Sequence, residues 1–159
     1  MNAPILTEPE LLRVIEDERQ RGRTISFANG IFDLLHVGHV RYLQGAAREA
    51  DVLVVGVNSD DSARTLKGEG RPVTSERERA ELVSAIRGVG YVTIFRDASP
   101  ARLIAVIKPD FHCKGTDYTP DTVPERDVVN AYGGKVVIVG DAKEHSTTEL
   151  LRKMRSNDE

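Results

Sequence analysis

Five short apolar runs, separated by stretches of helical periodicity, constrain the fold of this 159-residue chain more than any other feature. The runs are rich in Val, Ile and Phe, which is typical of strands buried on both faces. They cover residues 24–28, 52–57, 91–95, 111–113 and 135–139. Helices are predicted over residues 7–19, 40–49, 75–87, 100–107, 124–132 and 147–155, the first with Thr7 as its N-cap. Strands and helices therefore alternate along the chain.

This alternation predicts parallel strands joined by right-handed crossovers. We expect an α/β fold, a Rossmann-like doubly wound sheet of about five parallel strands with helices on both faces. Residues 1–159 are expected to form a single domain, with residues 1–23 as an N-terminal helical extension. Residues 66–74 and 115–123 lack a clear pattern and are candidate substrate loops.

Composition excludes several classes of partner. The net charge of -3 is built from interspersed signs, so we expect neither nucleic acid nor a membrane surface as a partner. No apolar stretch approaches the roughly 20 residues that span a bilayer, and the first residues do not resemble a secretory signal. A soluble, cytoplasmic protein is expected. The single Cys113 cannot form an internal disulfide and is expected to pack within a strand.

The turn after the first predicted strand carries the most informative chemistry. Residues 29–33 (Asn-Gly-Ile-Phe-Asp) leave the strand, and residues 36–39 (His-Val-Gly-His) lead into a helix. Ligands of open parallel sheets bind beyond the carboxyl ends of the strands, and a helix start attracts phosphate. Gly38 lets the backbone approach a ligand closely, while both imidazoles can donate hydrogen bonds to phosphate oxygens. This segment therefore predicts an anion cradle.

Other phosphate and metal motifs are missing from this turn. It contains neither a Walker A lysine nor the three glycines of a dinucleotide site, which disfavours a nicotinamide oxidoreductase. Zinc is also disfavoured, because His112 and His145 lie at the ends of distant strands without paired-ligand spacing. We predict no protein-held metal site.

Two segments resemble signatures of the cytidylyltransferase-like nucleotidyltransferase superfamily. Residues 28–39 are similar to its first signature, whose HxGH motif binds the nucleotide triphosphate and stabilises the transition state. Residues 144–148 (Glu-His-Ser-Thr-Thr) are similar to the Ser-Thr-Thr element that opens the last helix and holds the β- and γ-phosphates. The resemblance implies a nucleotidyltransferase.

Three further segments look like the branch of adenylyltransferases that make ADP-heptose. They are residues 57–60, 66–73 and 114–118, and the likeness extends from about residue 25 to residue 154. It implies transfer of AMP from ATP to D-glycero-D-manno-heptose 1-phosphate, giving ADP-heptose and pyrophosphate for lipopolysaccharide or other surface glycans. Some relatives carry a fused sugar kinase. A chain of this length has no room for one, so we expect the kinase to be a separate protein.

Two alternatives stay open at this point. A glycerol-3-phosphate cytidylyltransferase has an arginine before the Ser-Thr-Thr element, whereas this chain has Asp141 there and Lys143 two residues later. A non-catalytic nucleotide-binding regulator would tend to lose the loop lysine or a histidine, and this chain keeps Lys67, His36 and His39. Side chains alone do not separate ATP from CTP, so the choice of ATP is what the resemblance implies.

The resemblance also implies roles for individual residues. A sugar phosphate is already ionised near neutral pH and needs no general base, so the catalyst supplies position and positive potential. His36 and His39 are expected to contact the phosphates being separated, and Lys67 to reach the α-phosphate or the sugar phosphate. The expected nucleotide-binding residues are Asn29, Gly30, Phe32, Asp33, Gly38, Arg79, Lys114, Gly115, Asp117, Ser146, Thr147 and Thr148. The expected acceptor-binding residues are Asn58, Ser59 and Arg71.

Several of these residues have a structural alternative. Arg79 could pair with neighbouring glutamates on its helix, Asp33 and Asp117 could form turns, and residues 146–148 could form only a helix cap. Mg²⁺ is expected to arrive with ATP and to be held mostly by phosphates and water. Small-molecule substrates are the expected partners, and a homodimer is expected because dimers are common in the superfamily.

Overall fold

The structure, a computed structural model, describes residues 1–141 and 147–157. In chain order the elements are α1 (Glu8–Gln20), β1 (Ile25–Gly30), α2 (Val37–Ala47), β2 (Val52–Asn58), α3 (Asp60–Lys67), α4 (Glu76–Ser84), β3 (Tyr91–Phe95), α5 (Ala101–Ile107), β4 (Phe111–Lys114), α6 (Arg126–Ala131), β5 (Lys135–Ile138) and α7 (Thr147–Ser156).

A five-stranded sheet in the order β3-β2-β1-β4-β5 lies at the centre of the fold. Every strand pair is parallel, which confirms the predicted Rossmann-like sheet. The chain moves outward from β1 through β2 to β3 and then returns to place β4 on the opposite side of β1. Strand order therefore reverses between β1 and β4, and the carboxyl ends of these two strands are the expected place for a ligand.

The two faces of the sheet bury separate apolar clusters, because successive strand residues point to opposite faces. Leu53, Val55 and Val57 of β2 pack with residues of α2 and α4. Val52 and Val54 pack with residues of α1, α5 and α6. Helices therefore cover both faces, as the alternating sequence predicts. In the part of the chain that the structure describes, no helix is long and apolar enough to cross a membrane.

The N-terminal segment is integrated with the sheet. Leu6 donates a backbone hydrogen bond of 2.8 Å to the Val92 carbonyl in β3, and the Val92 amide donates in turn to the Pro4 carbonyl. α1 then begins with a capping box formed by Thr7 and Glu10. The segment therefore covers the outer edge of β3 as well as packing a helix on the core.

Three differences from the sequence prediction affect the cavity described below. β1 continues through Asn29 and Gly30, and α2 begins at Val37 instead of residue 40, so the second histidine lies in its first turn. α3 was not predicted, because it is short and buries only Ser62 and Ala63, which leaves no apolar periodicity. Residues 66 and 67 of the candidate loop at 66–74 therefore belong to the last turn of this helix, and the loop itself begins at Gly68.

Candidate active site

A cavity of about 440 Å³ opens where the carboxyl ends of β1 and β4 meet the start of α2. Most of the sequence-predicted site residues line it. They are Asn29, Gly30, Phe32, Asp33, His36, Gly38, His39, Asn58, Lys67, Arg71, Lys114, Gly115, Asp117 and Thr148. Segments far apart in the sequence therefore converge on one space.

The turn between β1 and α2 places both histidines at a helix start. Phe32 and Leu34 adopt left-handed backbone angles, with φ of 55° and 51°, which turn the chain sharply after β1. His36 is the N-cap of α2, and its Nδ1 accepts the Gly38 amide at 3.1 Å. His39 Nδ1 accepts the His36 amide at 3.2 Å. The two imidazoles thus replace the hydroxyl and carboxylate of an ordinary capping box.

These hydrogen bonds fix the tautomer of each ring. A nitrogen that accepts an amide N–H carries no proton, so the proton of each neutral ring resides on Nε2. The rings stack with centroids 3.9 Å apart, and Phe32 packs edge-on against His39 at 5.5 Å. Burial, with a smaller effect of His36, lowers the pKa of His39 to about 4. His39 is therefore a neutral Nε2–H donor near pH 7.

Three basic side chains bring positive charge to the cavity wall. Lys67 ends α3, Lys114 ends β4, and Arg71 lies in the loop between α3 and α4. Burial lowers the pKa of Lys114, whose ammonium lies 4.9 Å from the centre of the Tyr118 ring. These cations and the N–H donors of the histidine turn form one part of the wall, which suits a polyanionic ligand, while the carboxylates of Asp33 and Asp141 in the lining are paired with Arg71 and Arg41.

The far wall is formed where α2 approaches the end of β5. An ideal Cβ on Gly45 would lie 3.1 Å from the Val139 Cβ, so only glycine permits this spacing without a shift. Asp141 forms an ion pair with Arg41 of α2, and its carbonyl accepts a 2.6 Å hydrogen bond from the Thr116 hydroxyl. These contacts join the segment after β5 to α2 and the segment after β4 to the segment after β5.

Several residues that line the cavity were not among the site residues predicted from the sequence. They are Ile31, Tyr42, Leu66, Thr116, Tyr118, Val139, Gly140 and Asp141. Helical spacing could have indicated Tyr42, which is three positions after His39 and so shares its face of α2. Its hydroxyl donates to the Cys113 carbonyl at 2.6 Å, and burial raises the pKa of Tyr42. Cys113 itself is buried in β4, as predicted.

Arg79 and Ser59 lie behind the cavity instead of lining it. The Arg79 side chain is fully buried; it donates to the Thr74 and Ile31 carbonyls and pairs with Asp60 at 2.9 Å. Ser59 caps α3 by accepting the Ser62 amide. In this structure both side chains contact the protein elements that carry the cavity wall.

The last predicted motif lies only partly within the described residues. Thr147 begins α7 and Thr148 lines the cavity, whereas Ser146 lies outside the described residues. His145, Glu144 and Lys143 also lie outside them. The start of α7 nevertheless faces the same cavity as the start of α2.

Two further observations bear on ligand chemistry. Asn29 Oδ1 is buried and has no hydrogen-bond partner within residues 1–141 and 147–157. A ligand hydroxyl or amine in the cavity could satisfy this acceptor. Across the same described ranges, no group of three or more His, Cys, Asp or Glu side chains is placed to hold a metal ion.

A parallel α/β domain with paired imidazoles at a helix start is the arrangement that the resemblance to nucleotidyltransferases predicts. Residues 27–156 match the cytidylyltransferase-like family, and the chain belongs to this family. Its relatives include two proteins called bifunctional protein HldE. The one from Geobacter metallireducens is 51% identical over 144 residues, which is 91% of this chain and 29% of that protein. The one from Syntrophotalea carbinolica is 46% identical over 153 residues, 96% of this chain and 31% of that protein.

The chain therefore spans about a third of the length of these relatives. Among solved structures, the lipopolysaccharide core biosynthesis protein of Thermoplasma volcanium is 28% identical with a TM-score of 0.66, covering 77% of this chain and all of that one. The pantothenate synthetase of Thermus thermophilus is 19% identical with a TM-score of 0.64, over 98% of this chain and 70% of that one. The second likeness concerns the fold alone.

Proposed function

We propose that this domain transfers AMP from ATP to D-glycero-D-manno-heptose 1-phosphate and releases pyrophosphate, giving ADP-heptose. The proposal is supported by the family, by the high identity to HldE proteins and by the segments at 57–60, 66–73 and 114–118 that resemble heptose adenylyltransferases. The product would serve lipopolysaccharide or other surface glycan synthesis. Single-domain organisation, a homodimer and a cytoplasmic location stay predictions.

The observation that carries the proposal is the stacked pair of imidazoles in a cavity that also holds Lys67, Arg71 and Lys114. Both rings are tied to backbone amides, so they are preorganised before a ligand arrives. Preorganised donors aimed at developing negative charge are a large source of catalysis in acyl and phosphoryl transfer. Transfer of a nucleotidyl group from a triphosphate develops such charge on the departing pyrophosphate.

The reaction requires little proton chemistry from the protein. An ionised oxygen of the acceptor phosphate attacks the α-phosphorus of ATP, and the bond from that phosphorus to the α–β bridging oxygen breaks. Pyrophosphate leaves with the electron pair. His36 and His39 would donate through Nε2 to oxygens of the phosphates being separated. Lys67 would neutralise charge at the α-phosphate, and the backbone at the start of α7 would hold the tail.

Mg²⁺ would enter with ATP and neutralise part of the pyrophosphate charge. The described carboxylates do not form a cage, and Asp33 is already engaged with residues 71–74. The ion would therefore be held mainly by phosphate oxygens and water, as is usual for Mg²⁺ with nucleotides.

The choice of base and acceptor is tested by a pyrophosphate-release assay. Purified protein with Mg²⁺ is offered ATP, CTP, GTP and UTP, each with both anomers of heptose 1-phosphate or with glycerol 3-phosphate. We expect turnover with ATP and heptose 1-phosphate. Turnover confined to CTP and glycerol 3-phosphate would establish the cytidylyltransferase alternative, and nucleotide binding with no turnover on any pair would indicate a regulator.

A further inference from the structure

The Asp33 carboxylate is buried in the turn between β1 and α2 and grips the loop that precedes α4. Its side chain is 1% exposed. Oδ2 accepts Arg71 Nε at 2.9 Å and the Val73 amide at 2.8 Å. Oδ1 accepts the Thr74 amide at 3.1 Å and the Thr74 hydroxyl at 3.0 Å. Burial raises the pKa of Asp33, but these hydrogen bonds together hold it below its ordinary value. The carboxylate is therefore ionised when the loop is in place.

A second contact holds the same loop from the other side. Arg79 donates its Nε to the Thr74 carbonyl at 3.1 Å and its terminal nitrogen to the Ile31 carbonyl. Thr74 is thus bonded through its amide, its hydroxyl and its carbonyl to groups that belong to, or contact, the histidine turn. This arrangement fixes residues 71–74 relative to His36 and His39.

The geometry at Arg71 is specific. A guanidinium has five N–H donors in one plane, and Asp33 uses the one on Nε. Neither terminal nitrogen of Arg71 has a hydrogen bond to the rest of residues 1–141 and 147–157, and Arg71 lines the cavity. The side chain is 18% exposed, so the remaining donors are confined to a narrow space beside the phosphate cradle.

We propose that Asp33 is a positioning residue that fixes Arg71 through Nε so that its terminal nitrogens form a fork for the phosphate of the acceptor. A planar fork binds two oxygens of a phosphate monoester at once. The site would therefore select an acceptor with a dianionic phosphate, while Lys67 serves the nucleotide. This inference rests on the proposed function, because it assigns the acceptor half of that reaction.

The first test compares D33N with D61N. The carboxamide of D33N would present its NH₂ group either toward Arg71 Nε and the Val73 amide or toward the Thr74 amide and hydroxyl, so at least one backbone donor loses its acceptor. Asp61 forms an exposed ion pair with Arg64 at 2.9 Å on nearby α3, so D61N makes the same chemical change away from the cavity. We expect D33N to raise the KM for the acceptor about tenfold or more, the loss of a charge-assisted hydrogen bond, with ATP affinity changed less than about twofold. D61N should match wild type.

A structural readout accompanies the kinetics. Hydrogen exchange followed by mass spectrometry should show faster exchange at the Val73 amide, the Thr74 amide or both in D33N, because the two amides donate to different oxygens of the carboxylate and the carboxamide keeps only one of them. Exchange in β1 and β2 should be unchanged. Slow exchange at both amides in D33N would overturn the anchoring role, whether or not the enzyme is active.

A second variant protects the test against misfolding of D33N. In R71K a single ammonium replaces the guanidinium and cannot both keep the hydrogen bond to Asp33 and present two parallel N–H donors to a phosphate, so R71K should raise the acceptor KM as D33N does. The acceptor KM of the double variant should be little higher than that of either single variant, since both substitutions break the same Asp33–Arg71 pair. Additive effects, or an equal loss of ATP affinity in D33N, would overturn the inference. Wild-type protein without turnover on any acceptor would instead refute the proposed function.

Discussion

His36 and His39 each combine a structural and a chemical role in one ring. Their Nδ1 atoms satisfy amides at the start of α2, which helix geometry otherwise leaves without partners. The same hydrogen bonds leave the proton on Nε2, where it can be donated to a phosphate. The spacing of the motif follows from this, because the N-cap and N3 positions of a helix are three residues apart.

Substitutions at His39 can separate the two roles. Asn places an acceptor oxygen where His39 has Nδ1, so H39N should retain the cap but lose the Nε2–H donor. H39A loses both. We expect both variants to raise the activation barrier by about 2–4 kcal/mol, which lowers kcat roughly 30- to 1,000-fold. H39N should be closer to wild type than H39A in urea denaturation.

The outcome that contradicts this account is a normal kcat in H39N. Equal stability of H39N and H39A would show instead that the cap contributes little. Both quantities are measured on the same preparations, by steady-state pyrophosphate release and by denaturation midpoint.

The buried histidines also predict how stability depends on pH. Burial lowers the pKa of His39 from its ordinary 6.5 to about 4 and lowers that of His112 as well. Between about pH 6.5 and 4 the unfolded chain therefore binds protons that the folded chain does not, so the free energy of unfolding decreases as the pH falls through this window.

Urea titrations at several pH values from 7.5 to 4.5 measure this slope, and each midpoint should move to lower urea as the medium becomes acidic. H39N removes one titrating group and should flatten the slope, leaving the contribution of His112. A slope identical in wild type and H39N would show that His39 is protonated as readily in the folded as in the unfolded chain.

At the scale of elements, the fixed geometry of the cavity depends on a helix that does not line it. α4 supplies Arg79, which joins the turn after β1, the loop before α4 and the start of α3. The local pattern of residues does not distinguish this arginine from Arg77, which lies two positions earlier and is exposed; only the family resemblance singles out Arg79. The distinction requires knowing which face of α4 is buried, and helix periodicity is weak in a segment so rich in charge.

Replacing these two arginines tests that difference. R79M leaves the Ile31 and Thr74 carbonyls without their donor, so the free energy of unfolding should fall by about 3 kcal/mol. R77M on the same helix should change it by less than about 0.5 kcal/mol. Chemical denaturation checks both, and a stable R79M would show that water replaces the buried guanidinium at little cost.

α1 is an integral part of the folded domain, because it buries apolar side chains against the sheet. Leu11 is fully buried against the α5 and α6 side of the sheet, whereas Leu82 of α4 is half exposed. L11A should lower the free energy of unfolding by about 2–5 kcal/mol through the cavity it leaves, and L82A by less than about 1 kcal/mol. Similar midpoints for the two variants would mean that α1 is a loosely attached appendage.

At the scale of the molecule, the sheet could be predicted from the sequence because strand burial on both faces leaves a direct apolar signal. The strands, their parallel pairing and the helices on both faces follow from Val-rich runs such as residues 52–57. α3 could not be predicted in this way, since its N-cap Ser59 and acidic first turn are weak local signals without an apolar stripe.

The candidate site was predictable only where side-chain type implies chemistry. The histidines and Lys67 are such residues, and the structure places them around one cavity. Thr116 and Asp141 line the cavity through tertiary contacts, which depend on the close packing of α2 on the end of β5. No local pattern encodes that distance. The account therefore depends on two distant helix starts converging at the reversal of strand order.

A crystal structure with a non-hydrolysable ATP analogue and Mg²⁺ tests this convergence most directly. We predict that the β- and γ-phosphates lie between the start of α2 and the start of α7, with His36 and His39 Nε2 within hydrogen-bond distance of phosphate oxygens. A triphosphate bound elsewhere on the sheet edge, or with its phosphates turned away from both imidazoles, would contradict the account.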